Sequence, residues 1–130
     1  GLMRTPELAG DIVAAVVKAI HVPVTVKCRL GWDKSSINVI DFTKRMEDNG
    51  AAMVAVHGRT RGMLYSGVAD WDTIAKVKDN LSIPVIANGD IVSGEAAVKC
   101  LKRTGADGIM IGRASFGDPW IFAEAKADIR

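Results

Sequence analysis

Apolar positions along the chain alternate between two spacings. Leu8, Ile12, Ala15, Val16 and Ala19 recur at three- and four-residue intervals, which is one face of a helix. Thr5-Pro6-Glu7 supplies its start, a hydroxyl cap followed by proline at the first helical position, and the helix is predicted to run to about Ile20. A short β-branched run, Val24 to Arg29, then reads as a strand. A helix follows from Ser35 or Ser36 to about Asn49, closed by Gly50. Met53 to His57 is a strand, and Asp70 caps a helix from Trp71 to about Asn80. Val85 to Asn88 is a strand, and Ser93 or Gly94 opens a helix to about Arg103, closed by Gly105. Ile109 to Ile111 is the fourth strand, and Pro119 begins a last helix with Asp118 as its cap.

Strand–helix alternation predicts an α/β fold with a parallel sheet and helices outside it. The longer connections, residues 30–35 and 58–70, follow strands, and function gathers on such loops. The pattern also echoes itself. His21-Val22-Pro23-Val24 returns as Ser82-Ile83-Pro84-Val85, and the stretch from Gly50 to Arg59 returns from Gly105 to Arg113. A repeated βαβα unit marks a repetitive architecture. Four βα units make half of a TIM (β/α)8 barrel, whose open sheet edges call for the missing half or for self-association with a second copy.

Composition narrows this reading. The 130 residues are 48% hydrophobic and 25% charged, with a net charge of +2. That is the balance of a globular domain, too short for a whole barrel of about 250 residues. The small positive total neither demands nor excludes a nucleic acid. Cys28 and Cys100 lack metal-site spacing, so no metal is expected and a reducing cytoplasmic setting is the default. No apolar run reaches the ~20 residues of a membrane span. Gly1 is no ordinary start and Arg130 falls inside a helical pattern, so the chain reads as one partial barrel, 1–130, cut from a longer polypeptide and holding no second domain.

Candidate chemistry collects at the predicted strand ends: Lys27 with Arg29, His57 with Arg59, Asn88-Gly89-Asp90, and Gly112-Arg113. In a parallel barrel these ends share one face, commonly with a phosphate held after the last two strands. Glycine lets a backbone approach a ligand, and Arg113 offers a fork matched to phosphate oxygens. Lys27, inside an apolar strand, either faces a ligand or reaches solvent from the strand end. His57 is either a site residue or a core histidine bonded to a carbonyl. Asn88-Gly89-Asp90 presents backbone N–H groups and a carboxylate, or is simply a turn. Arg59 and Arg61, with Tyr65 and Trp32, mix cations and aromatics on one rim, a combination suited to RNA or to a solvated loop. Cys28 and the methionines read as packing.

Taken in order, V-P-V-T-V-K-C-R-L-G-W, V-H-G-R-T-R, I-P-V-I-A-N-G-D-I and I-M-I-G-R-A-S-F-G-D-P-W-I-F closely resemble the tRNA-dihydrouridine synthase family, especially its bacterial B-type branch. The resemblance implies the C-terminal half of an FMN-binding barrel, strands five to eight, in an enzyme that reduces tRNA uridine to 5,6-dihydrouridine with NADPH. By the same resemblance Lys27 would contact the flavin ring and His57 would lie beside ring and tail. Asn88, Gly89 and Asp90 would line the ribityl and phosphate end, and Gly112 and Arg113 would hold the phosphate. Arg59 and Arg61 are candidates for tRNA contact. The family's proton-donating cysteine stands in a Gly-Cys-Pro loop after strand four. Neither Cys28 nor Cys100 stands in that motif, so no catalytic residue is expected in this chain and the isolated chain is expected to be inactive. Two other readings fit the same strand ends: another FMN barrel such as a dihydroorotate dehydrogenase-like reductase, and a non-catalytic half-barrel packing module.

Overall fold

Four strands pair in parallel in chain order, each followed by a helix, in the computed structural model, which describes residues 1–130. The strands are β1 (Thr25–Cys28), β2 (Met53–His57), β3 (Val85–Asn88) and β4 (Gly108–Met110). The helices are α1 (Pro6–Ala19), α2 (Val39–Asp48), α3 (Trp71–Asn80), α4 (Gly94–Thr104) and α5 (Ile121–Ile129). This is an α/β half-barrel: four βα units with the helices on the outer side. No helix is long and apolar enough to cross a membrane.

Strand alternation divides the side chains between two environments. Cys28, Val54, Val56, Val85 and Ala87 pack outward against Val39, Phe42 and Met46 of α2, Ile74 and Val77 of α3, and Ala97 and Cys100 of α4. The other face carries Lys27, Ala55, Ile86 and Gly108 in one register layer, and His57, Asn88 and Met110 in the next. Helix caps fix the units locally. Asp70 accepts from the Thr73 amide at 2.9 Å and Ser93 from the Ala96 amide at 3.1 Å, while Gly105 closes α4 in the left-handed region at φ 65°. At the end away from the strand tips, Glu47 of α2 accepts from the Ser82 and Ile83 amides at 2.6 and 3.0 Å.

Three expectations change. The α1 stripe of Leu8, Ile12, Ala15, Val16 and Ala19 faces away from the core; Leu8 is 51% exposed, and Ala9, Gly10 and Val13 are buried instead. Small residues win that face because α1 lies close to α2, where a Cβ on Gly10 would meet the side-chain Nδ2 of Asn49, just past the end of α2, at 2.9 Å. Ser35 and Ser36 belong not to α2 but to a separate 3₁₀ turn, Lys34–Ser36, whose capping box is closed by Asp33. Finally, α5 opens at Ile121 rather than Pro119, with no side-chain cap, because Asp118 and Pro119 form a turn that accepts the Ile121 amide at 3.3 Å.

Lys27 is exposed on the open side of the sheet. No second layer covers that side, so the lysine bears no desolvation cost there.

The burial pattern predicts that Ile74→Ala, at a fully buried position, lowers unfolding free energy by about 2–5 kcal/mol. Leu8→Ala, on the exposed stripe, should stay within about 0.5 kcal/mol of the parent. Urea unfolding monitored by circular dichroism measures both; equal costs would contradict the assignment of faces.

Candidate functional site

The four strand ends and the loops after them enclose one cleft of about 690 Å³, within the range of small-molecule sites. Lys27, His57, Asn88, Gly89, Asp90, Gly112 and Arg113 all line it, so the seven candidate residues come together on one wall. Arg59 and Tyr65 also face it, and Ile91, Val92, Met110, Ile111 and Phe116 make its apolar side.

Arg59 departs from the rim position expected of it. It is 2% exposed, and its guanidinium donates to Asp90 Oδ1 at 2.7 Å, the Gly67 carbonyl at 2.8 Å and the Ser66 carbonyl at 2.9 Å. The physical reason is the pairing itself: a carboxylate at the tip of β3 and the carbonyls of loop 58–70 draw the fork inward. Asp90 Oδ2 accepts the Ala69 amide at 2.6 Å, so both carboxylate oxygens hold the loop. Burial alone would push the Asp90 carboxyl up, but the Ala69 amide and the Arg59 guanidinium hold it below the usual carboxylate range. Asp90 sits at φ 57° directly after Gly89 at φ 114°. A Cβ on Gly89 would meet the His57 ring at 2.9 Å, which requires glycine there.

A second arginine ties the same loop from β1. Arg29 donates to the Thr60 and Leu64 carbonyls at 3.0 and 2.8 Å. The strand tips are stitched as well: Asn88 Nδ2 donates to the Met110 carbonyl at 2.7 Å, and Trp71 Nε1 to the Gly89 carbonyl at 3.0 Å. Asn88 thus uses one of its two amide N–H groups on β4 and keeps the other and its amide oxygen.

His57 is buried and its Nε2 lies 3.5 Å from Arg59 Nη1. Burial first, then the cations Arg29, Lys27 and Arg59, push its pKa down to about 4. The ring is neutral at pH 7, and with Nε2 turned to a guanidinium donor the compatible tautomer carries its proton on Nδ1.

The cleft keeps two cations without a carboxylate partner. Lys27 and Arg113 form no ion pair, and the Arg113 guanidinium rests over the Tyr65 ring at 4.3 Å from its centroid. Beside Arg113, the Cβ position of Gly112 meets nothing within 4 Å, leaving its backbone open to a ligand. Tyr65 as the rest for Arg113, and the apolar wall through Phe116, were not read from sequence as parts of this pocket. Only Tyr65, an aromatic in an arginine-rich loop, left a trace there.

Cys28 and Cys100 are buried among apolar side chains, which pushes their thiols up to about 12 and about 11. Neither lines the cleft.

The fold and site define an α/β half-barrel whose strand ends carry a cleft with two unpaired cations and an exposed glycine backbone. The chain matches the family model for dihydrouridine synthase (Dus) over residues 1–130. It is 56% identical over 125 residues to a probable tRNA-dihydrouridine synthase 1 of Synechocystis, covering 96% of this chain and 35% of that protein. It is 53% identical over 125 residues to tRNA-dihydrouridine synthase B of Pseudomonas syringae pv. tomato, covering 96% of this chain and 37% of that one. The chain belongs to the dihydrouridine synthase family, and it spans a little over a third of the length of these curated relatives.

Two outcomes follow from the site. Because the folded-state pKa of His57 lies below its ordinary 6.5, the unfolded chain takes up the proton first. Its contribution to stability is complete above pH 6.5 and is lost as pH falls from 6.5 towards about 4. Urea midpoints across that window should fall in the parent and fall less in His57→Gln; parallel profiles would contradict the assignment. Asp90→Asn leaves the buried Arg59 charge without its counter-ion. With Asp90 itself 29% exposed, the expected loss is about 2–3 kcal/mol, below that of a fully buried pair, with loop 58–70 becoming protease-sensitive.

Proposed function

We propose that this cleft holds FMN, with the phosphate at Gly112 and Arg113 and the ring towards Lys27, and that the chain is the cofactor-bearing part of an enzyme that reduces uridine in tRNA to 5,6-dihydrouridine. The observation that carries the reading is the placement of the two unpaired cations, Arg113 at the tip of β4 and Lys27 on β1. These are the two edge strands, three strand spacings or about 14 Å apart. A ligand that satisfies both is elongated, anionic at one end, and able to use a cation at the other.

The residues fit that group. The open Cβ position of Gly112 leaves room for phosphate oxygens against the backbone, and Arg113 has no competing carboxylate. The apolar residues Ile91, Met110 and Ile111 lie at the β3 and β4 end, beside the position proposed for the phosphate and ribityl tail. When bound, FMN supplies the hydride chemistry, with NADPH as the source of reducing equivalents. Lys27 places a positive charge where negative charge develops on the ring. Neutral His57 offers a directional hydrogen bond rather than a second charge, and Asn88 offers its amide oxygen to a ribityl hydroxyl. Asp90 acts through Arg59: it fixes the loop that carries Tyr65, on which Arg113 rests. The proton required by the uracil ring would come from outside these 130 residues, since neither thiol here lines the cleft and both are buried. The relatives' name points to tRNA as the partner, and catalysis requires elements beyond this chain.

The test is the affinity of the chain for FMN against riboflavin, which lacks the phosphate, read by flavin fluorescence. FMN should bind about 10–100-fold more tightly, the worth of one charge-assisted phosphate contact of about 1.5–3 kcal/mol. Arg113→Ala should erase that ratio while leaving riboflavin affinity alone. Equal affinities in the parent chain would overturn the placement of the phosphate.

A further inference from the structure

Next to the cofactor cleft, and sharing Lys27 with it, lies a smaller hollow of about 340 Å³ lined by Gly1, Leu2, Arg29, Trp32 and Arg61 among others. Two guanidiniums stand over the Trp32 ring, Arg61 at 5.0 Å and Arg4 at 5.2 Å from its centroid. Neither makes an ion pair or a side-chain hydrogen bond, so their N–H groups are free. Their positions are nevertheless fixed from the backbone. The Arg61 amide donates to the Gly31 carbonyl at 2.9 Å and the Gly62 amide to the Trp32 carbonyl at 2.8 Å, which locks the loop after β1 to the loop after β2. Gly31, at φ 158°, has no room for a Cβ against the Ser36 carbonyl oxygen. The turn that carries Arg4 is tied down by Asn38, which donates to the Met3 carbonyl at 2.8 Å. Asp33, the neighbouring carboxylate, is engaged by the Ser35 amide and the Ser35 and Ser36 hydroxyls, all on Oδ1.

We propose that Arg4 and Arg61, both held over Trp32, form a docking site for the phosphodiester backbone of an RNA strand entering the cofactor cleft past Lys27. This rests on the tRNA reading of the site and adds to it the element that receives the strand. The chemistry selects phosphate rather than base. The ring already carries two guanidiniums, so it serves to hold the arginines and not to stack a nucleobase. A guanidinium held over a ring by cation–π attraction keeps N–H donors able to bind two phosphate oxygens. Two such forks beside a lysine outnumber the one neighbouring carboxylate, Asp33, and leave the entry to the cleft net positive. Arg59, which lies two residues before Arg61, is excluded from this role by its pairing with Asp90.

The experiment measures binding of an unmodified tRNA transcript to the 130-residue chain by fluorescence anisotropy across a salt series, with FMN affinity read on the same samples. Each phosphate contact contributes about 0.7–0.9 to the slope of log affinity against log salt. The double variant Arg4→Gln/Arg61→Gln keeps apolar stems on the ring and should lower that slope by about 1.4–1.8, with FMN affinity unchanged. Trp32→Leu keeps both charges and should weaken binding with little change of slope. An unchanged slope in the double variant, or tRNA binding by the parent that is absent or indifferent to salt, overturns the proposal. Failure of FMN to bind the parent would instead remove the cofactor reading, so the two are separable.

Discussion

The ion pair between Arg59 and Asp90 is the constraint on which the functional face depends. It joins the tip of β2 to the tip of β3, and the same two side chains reach into loop 58–70 through the Ser66 and Gly67 carbonyls and the Ala69 amide. A long loop without regular structure is held by these four charge-assisted hydrogen bonds and by two more from Arg29, instead of a hydrophobic core of its own. That loop carries Tyr65, and Tyr65 carries Arg113. The position of Arg113, the cation proposed for the phosphate, is thus set by a pair with which it makes no ion pair. The left-handed backbone of Asp90 and the glycine before it are the local strain that this arrangement requires.

Cations on the strand-end face divide by what they are bound to. Arg59 is buried with a carboxylate, and Arg29 is spent on the Thr60 and Leu64 carbonyls. Lys27, Arg113, Arg4 and Arg61 have no carboxylate, and three of these four rest on an aromatic ring. Structure uses the first group, and the second group is the one proposed to meet ligands. His57 stands among the charges and stays neutral for that reason and because it is buried. The site is positive without being crowded by one more titrating cation.

Much of this was legible in the sequence. β2 and α3 stand where Met53–His57 and the Asp70 cap placed them, because β-branched alternation and a capping carboxylate are local signals. The convergence of Lys27, His57, Asn88–Asp90 and Gly112–Arg113 followed from strand-end placement in a parallel sheet. What was not legible is what depends on distant partners. Both faces of α1 carry apolar residues, and which one is buried depends on how near α2 lies, a matter of Gly10 and Ala9 rather than of period. Arg59 and Arg61 look alike in the chain. Only the position of Asp90, 31 residues further along, sends one inward and leaves the other on the rim. Serines at 35 and 36 signalled a helix cap and instead serve a separate turn, since Asp33 precedes them.

The strand ends of this half-barrel are proposed to bind FMN in one direction, phosphate at β4 and ring at β1. A crystal structure of the chain with FMN is the decisive measurement. Phosphate oxygens are expected within hydrogen-bond distance of Arg113 and against Gly112, with Lys27 Nζ at the flavin ring. A flavin bound with its ring at Arg113, or bound away from these strand ends, would contradict it.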